Sequence, residues 1–397
     1  MKRILILMLC ILLLAGCTET AVPTEPVLES VQQIQYDWMA GESPVRADWT
    51  GRYTSCIEQT QNSFECTSEG CYWMCDGILL YCDHGSDEVI RLCGRPDCTH
   101  SDMSCNAHFY NGTNVNYYDG SLYVTRETQL IRLNPDGTDR VNVIDPKNIM
   151  AQGSKGFTAP HVWNDIYLAG ISYVDDEGNL KTDYYYSTLG EEMTDFIKTD
   201  AIRGMQTDGN QYIVMDREDS SILLWDTETN ETTYLTQSHD RRGYYGAEEC
   251  WYIDNGVIYR LVYEIGEAEA MLDIGEQGGH ALLCFSDCLI VINYPTAEQW
   301  ANYEGITEQV LRFYNWDMEP LGSVKLDYPN AVASYNPVCG ESPERIYLTD
   351  TIDTVPRYYI DKADLGTENI TIHKLNLPDD IEQMLDEDGG VEAPFGG

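Results

Sequence analysis

Between residues 50 and 370 the chain is built of short runs of alternating apolar and polar side chains, interrupted every few residues by turn-forming pairs. Such alternation places one face of a strand in a core and the other against solvent. The clearest instance is Tyr117-Tyr118-Asp119-Gly120-Ser121-Leu122-Tyr123, in which an Asp-Gly pair sits between two strand-like runs. Asp-Gly is a strong signal for a two-residue hairpin, because both residues adopt the positive φ that a tight turn between twisted strands requires. Related turns stand at Asp76-Gly77, Asn164-Asp165 and Asp208-Gly209, with weaker copies at Asp254-Asn255-Gly256, Ser286-Asp287 and Cys339-Gly340.

The copies recur at a nearly constant interval. Asp76 to Asp119 is 43 residues, Asp119 to Asn164 is 45, Asn164 to Asp208 is 44 and Asp208 to Asp254 is 46. The last two steps, Asp254 to Ser286 and Ser286 to Gly340, are irregular at 32 and 54 residues, which points to a misplaced marker. Each interval holds several strands. After Asp119-Gly120 come Ser121 to Thr125, Gln129 to Leu133, an Asn-Pro-Asp-Gly turn at 134–137, and Arg140 to Ile144. The interval after Asp208 repeats this with Gln211 to Met215, Ser221 to Trp225 and Glu231 to Leu235. Four short strands in a unit of this length are the signature of a propeller blade, and radial repetition protects the edges of many short strands. The expected fold is all-β, a single β-propeller of about seven four-stranded blades, within a range of six to eight. A two-layer sandwich with periodic hairpins is the competing architecture. No long amphipathic helix falls between residues 50 and 370, which argues against a βαβ fold.

Seven units of 44 residues use about 308 of the 397 residues and leave only the two ends. Four segments are therefore expected: residues 1–16, residues 17–50, a propeller at 51–374 and an acidic tail at 375–397. A propeller ring must close. The stretch Trp49 to Phe64 is the natural source of a strand completing the blade that contains Tyr358 to Ile360 and Ile370 to Ile372, so both ends are expected in one sheet.

The N-terminal segment adds a location. Met1-Lys2-Arg3 is a positive start, and Ile4 to Leu14 is an apolar run too short for an ordinary membrane span of about 20 residues. Leu14-Ala15-Gly16-Cys17 then resembles the lipobox of bacterial lipoproteins. That resemblance implies a signal peptide over residues 1–16, lipidation (diacylglyceryl and palmitate-type chains) at Cys17, and attachment to the extracytoplasmic face of the cell membrane. Residues 18–49, with Pro23, Pro26 and Pro44 and few apolar runs, read as a tether.

Charge narrows the partners. There are 24 basic and 66 acidic residues, a net charge of −42, and loss of Lys2 and Arg3 with a signal peptide takes it to −44. Such a surface repels nucleic acid and anionic headgroups and attracts cations, basic peptides or cationic wall polymers. The plainer reading, solubility of an exported protein, is preferred, and a monomer is expected. Acidic runs such as Asp175-Asp176-Glu177 fall in turns, where solvated hairpin tips are the default.

The most unusual composition lies between residues 56 and 105, which hold eight of the fourteen cysteines. Setting aside Cys10 in the signal and Cys17 leaves twelve, an even number that suits disulfides outside the membrane. The alternative is that Cys93, Cys98, His100 and Cys105 form a Cys3His set, a chemistry fit for tetrahedral zinc, although the single residue between Cys98 and His100 is not a standard zinc spacing. Disulfides are preferred and no cofactor is expected, with zinc at this segment as the alternative. The segment Leu92 to Ala107, together with the lipobox and the repeat style, resembles uncharacterised propeller-like lipoproteins of anaerobic Firmicutes. No established activity comes with that resemblance. Cys250, Cys284, Cys288 and Cys339 lie scattered in later strands and read as small buried hydrophobes.

Motifs of common hydrolases, metalloproteases and nucleotide enzymes are missing. Two functions stay open: a non-enzymatic propeller that binds a protein, peptide or glycan, and an extracytoplasmic propeller enzyme, a glycan or peptide lyase or hydrolase. Binding is the preferred expectation, and no catalytic residue is assigned.

Overall fold

The computed structural model describes residues 64–388 apart from short internal stretches, of which the longest is 145–153. The described strands form seven antiparallel sheets, each drawn from one continuous piece of chain. Six sheets have four strands, and the third adds a fifth, Ser154–Phe157, against the strand Ile166–Val174. The protein is a seven-bladed β-propeller. The blades run over residues 64–91, 112–144, 154–199, 202–237, 244–273, 279–325 and 338–374.

Position within a blade explains the composition of each strand. The second strand of blade 1, Gly70–Cys75, is buried at every position, and in blade 6 Gly279–Cys284 and Leu289–Tyr294 are nearly so. Strands covered on both faces by neighbouring blades need continuous apolar sequence rather than alternation. The fourth strands Glu231–Gln237, Ala268–Asp273 and Pro320–Lys325 are mostly exposed, and none of them carries the continuous apolar run of the inner strands.

The turns at Asp76-Gly77, Asp119-Gly120 and Asn255-Gly256 are present but do not all occupy the same place, Cys339-Gly340 lies inside the strand Val338–Glu341 rather than in a turn, and Asn164, Gly209 and Ser286 lie outside the described residues. Asp119-Gly120 joins the first and second strands of blade 2, with φ of 43° and 77°. Asp76-Gly77 and Asn255-Gly256 have the same positive-φ geometry, yet they join the second and third strands of blades 1 and 5. The step from Asp254 to Ser286 is short for that reason. Part of the regular spacing compared unlike hairpins.

Each pair of neighbouring blades shares an apolar cluster. Tyr72, Met74 and Leu79 of blade 1 meet Val115 and Leu122 of blade 2. Similar contacts join blades 2 and 3 through Leu130 and Tyr167, 3 and 4 through Leu168 and Trp225, and 4 and 5 through Ile213 and Tyr252. Trp251 meets Leu282 between blades 5 and 6, and Phe313 meets Ile346 between blades 6 and 7. The seventh cluster packs Trp73 and Leu80 of blade 1 against Tyr347 and Tyr359 of blade 7. The ring is therefore closed by packed faces.

This corrects the expected closure. Blade 7 takes all four strands from residues 338–374, and the strand Phe64–Cys66 pairs with Gly70–Cys75 in blade 1. Phe64 does reach blade 7, but with its ring, which lies 5.1 Å from that of Tyr347. Residues 49–63 lie outside the described residues. No shared sheet is needed because the chain after blade 7 returns to blade 1. The Asn376 N–H donates to the Asp87 carbonyl at 2.8 Å, and the Val89 N–H donates to the Asn376 carbonyl at 3.0 Å. The helix Asp379–Asp388 follows, burying Ile381 and Leu385 in the same cluster while Arg91 pairs with Asp380.

Candidate metal centre

Blade 1 is joined to blade 2 by a long connection that runs from Leu92 to the strand Gly112–Tyr118, and both of its ends are fastened. At the start, the Leu92 N–H donates to the Leu79 carbonyl at 3.0 Å. At the far end, the Leu79 N–H donates to the Ala107 carbonyl at 2.8 Å and the Phe109 N–H to the Gly77 carbonyl at 2.6 Å, with His108 bridging Ile78. The opposite side leans on blade 2. Arg140 stacks 4.0 Å above the Phe109 ring and donates to the Cys105 carbonyl at 3.2 Å. Gly137, at φ +81°, passes so close that a Cβ there would lie 2.7 Å from the Leu92 carbonyl oxygen.

Between these anchors the described part of the connection has little apolar content. Arg95, Asp97 and Thr99 are partly or fully exposed, and Cys105 alone among the four candidate residues is buried. Within this span the ligand atoms of Cys93, Cys98, His100 and Cys105 all lie within 4.8 Å of one another. His100 Nδ1 is 3.2 Å from Cys105 Sγ, and the His100 N–H donates to Cys98 Sγ at 3.4 Å. His100 holds a φ of 54°, a left-handed backbone that is uncommon for a residue bearing a Cβ. The Cys98 N–H donates to the Arg95 carbonyl at 3.2 Å, and Arg95 reaches across to donate to the Ser104 carbonyl at 2.8 Å.

The thiols are electrostatically unequal. A hydrogen bond from Cys105 is the largest influence on Cys93 and lowers it; burial opposes this, and backbone hydrogen bonds from Arg95 and Asn106 help bring it down to about 4. The same Cys93–Cys105 hydrogen bond, followed by burial, pushes Cys105 well up. Three thiolates and an imidazole are the donors of a closed structural zinc site, and four protein ligands leave no position for a reacting water.

The disulfide expectation is met in one place, Cys66–Cys71, where the two residues are direct cross-strand partners. It is corrected for Cys75, Cys82, Cys93, Cys98 and Cys105, which are thiols, while Cys56 lies outside the described residues. Cys75 and Cys82 enter the apolar cluster between blades 7 and 1 as small buried side chains, and burial pushes Cys82 up to about 12. His84 also approaches Cys66 and Cys71, but those sulfurs are bonded to each other and its Nε2 lies 2.7 Å from the Thr67 carbonyl. Cys250, Cys284 and Cys288 are buried as expected. In the acidic run at 175–177, Asp175 closes its own turn by accepting from the N–H groups of Glu177 and Asn179. Cys17 lies outside the described residues. Arg95, Arg140 and Gly137, which shape the connection, were not singled out by sequence; Arg140 and Gly137 carry no signal there, since their role depends on blade 2 lying alongside.

No family model matches the chain, and no curated protein does. Among solved structures the chain is similar to a prolyl endopeptidase, at 14% identity and a TM-score of 0.49, over 86% of this chain and 54% of that one. It is also similar to the acylaminoacyl peptidase of Pyrococcus horikoshii, at 11% identity and a TM-score of 0.46, over 89% and 56% of the two chains. A third is the β-propeller domain of the Trilobed protease from Pyrococcus furiosus, at 10% identity and a TM-score of 0.36, over 68% of this chain and all of that one. The chain spans about half the length of the two peptidases. The likeness is one of fold, and no activity is carried over from it.

Proposed function

We propose that the protein is a membrane-anchored extracytoplasmic lipoprotein whose propeller binds a protein, peptide or glycan without chemical turnover. The observation that carries the location is the segment Leu14-Ala15-Gly16-Cys17 behind a positive start and a short apolar run. The anchor is Cys17. Among the described residues no helix is long and apolar enough to cross a membrane.

Binding rather than catalysis is favoured by how the described blades use their buried charges. Asp350 is held by Arg357 at 3.1 Å, and Glu341 is paired with Lys362, which also reaches Asp287 at 2.9 Å. Glu341 ends the strand Val338–Glu341 and Lys362 follows the strand Tyr358–Asp361, while Asp350 and Arg357 both lie between Arg345–Leu348 and Tyr358–Asp361, so these charges are engaged in holding blade 7 together. The net charge of −42 directs the choice of partner toward neutral or cationic surfaces and away from nucleic acid.

Two experiments test the reading. Mass spectrometry of the native N-terminal peptide should find a diacylglyceryl group on Cys17, and Cys17→Ala should move the protein to the medium; an unmodified terminus would overturn the anchor. Peptide and glycan arrays probed with the purified protein, with products followed by mass spectrometry, should give retained ligands and no cleavage. Turnover of any retained ligand would replace the binding role with an enzymatic one.

A further inference from the structure

We propose that Cys93, Cys98, His100 and Cys105 hold one structural zinc ion, and that this ion fastens the connection between blades 1 and 2. Four observations carry this. First, the donor atoms already converge to within 4.8 Å of one another, close to the roughly 3.5–3.8 Å edges of a tetrahedron with Zn–S of about 2.3 Å and Zn–N of about 2.0–2.1 Å.

Second, the thiols of the cluster are odd in number. Three cysteines form at most one disulfide and leave one sulfur and the imidazole unused, whereas a single zinc engages all four donors. The remaining described cysteines of this region are spoken for elsewhere: Cys66 and Cys71 are bonded to each other, and Cys75 and Cys82 lie in the cluster between blades 7 and 1.

Third, His100 takes a left-handed backbone at φ 54° and so turns its ring to within 3.2 Å of Cys105. Such a conformation is strained for a residue bearing a Cβ and persists where surrounding contacts over-determine it, which metal ligation would do. The His100 N–H directed at Cys98 Sγ and Arg95 bound to the Ser104 carbonyl hold the loop in the same arrangement.

Fourth, the loop stands where a crosslink has mechanical value. Its two ends are hydrogen-bonded to blade 1 at Leu79 and Gly77, and its Cys105 carbonyl is held by Arg140 of blade 2. Its own exposed residues supply no core. On binding, zinc displaces the thiol protons, and three thiolates with a neutral imidazole give a centre of net charge −1 beside Arg95. With every position filled by protein, the ion's role is structural.

The test uses the full chain purified from membranes in detergent and chelator-free buffer. Elemental analysis should return about one zinc per chain. Cys98→Ser and His100→Ala should lower that content severalfold, and cobalt(II) exchange into the wild type should give tetrahedral thiolate charge-transfer absorption. Removing zinc with a chelator should speed hydrogen exchange at the Leu79 and Phe109 amides and leave those of Ile290 and Phe313 unchanged. Should either variant fail to fold, the wild-type zinc content and cobalt spectrum still decide. The proposal is overturned by a metal-free wild type with two of the three cysteines in a disulfide, or by zinc retained in full by both folded variants.

Discussion

Two joints of the ring are built differently although both bury an apolar cluster. Between blades 6 and 7, Leu283, Phe285, Ile290 and Phe313 pack on Val338, Ile346, Leu348 and Ile360. The blades are also joined directly by the chain, with twelve residues between the strand Pro320–Lys325 and the strand Val338–Glu341. Between blades 7 and 1 no such covalent link exists, because these are the first and last blades of the chain. There Asp87 accepts from Arg345 at 2.9 Å and from the Tyr359 hydroxyl at 2.6 Å, Arg345 also donates to the Ser86 carbonyl, and its guanidinium stacks 3.8 Å above the Tyr359 ring. Apolar contact is non-directional. Directional bonds cross the joint of blades 6 and 7 as well, Lys362 donating to Asp287 at 2.9 Å and the Gly366 N–H to the Leu321 carbonyl at 2.7 Å, but the joint that lacks a covalent link gathers its bonds on one pair, Asp87 and Arg345.

Substitutions at the two joints should therefore fail in different ways. Phe313→Ala empties a fully buried ring from the joint of blades 6 and 7 and should cost about 3–5 kcal/mol in urea unfolding, as one cooperative transition. Arg345→Met, at a side chain 6% exposed whose partners Asp87 and Asp361 are 47% and 38% exposed, should cost less, about 2 kcal/mol after solvent screening. Its signature is local: faster exchange at the Val89 and Asn376 amides before the other joints open. A uniform loss of protection would contradict the directional account.

Gly137→Ala probes the joint of blades 1 and 2. The new Cβ meets the Leu92 carbonyl at 2.7 Å with φ at +81°, so a cost of about 1–3 kcal/mol is expected, with protection lost first at Leu79 and Phe109.

The smallest effect lies at the helix Asp379–Asp388. Arg91 is the main cause that holds the Asp380 carboxyl below its usual range. A carboxylate with a depressed folded value contributes stability above its unfolded value and loses it as pH falls through the folded one. Asp350 has the opposite sign: burial raises it, with Arg357 pulling back, so the cost of its charge is relieved as pH falls below that raised value. Asp380→Asn should flatten the acid side of the stability profile by about 0.2–1 kcal/mol, the range of an exposed pair. An unchanged profile would show that the Arg91–Asp380 pair adds nothing to the closure between blades 7 and 1.

The blades were legible because Asp-Gly and Asn-Gly turns and short alternating runs are local chemistry. Asp76-Gly77 and Asn255-Gly256 announced hairpins correctly, but a hairpin signal does not say which strands of a blade it joins, and the intervals inherited that ambiguity. The ring closure was not legible. It depends on Asp87 meeting Arg345 and Tyr359 at the other end of the chain, and on Asn376 adding one parallel bridge to Glu88. The four donors of the candidate centre could be named from their types, whereas their convergence depends on the turn at His100 and on blade 2 lying beneath the connection. The preference for disulfides over most of residues 56–105 failed for a related reason: an even count says nothing of whether sulfurs meet, and Cys75 and Cys82 enter one core while Cys93, Cys98 and Cys105 gather in another place.

The most direct measurement is X-ray absorption at the zinc edge on the full chain purified without chelators. The account predicts three sulfur scatterers at about 2.3 Å and one nitrogen at about 2.0–2.1 Å, with one sulfur lost in Cys98→Ser. A shell of oxygen and nitrogen alone, or a chain that carries no zinc and joins two of Cys93, Cys98 and Cys105 in a disulfide, would contradict it.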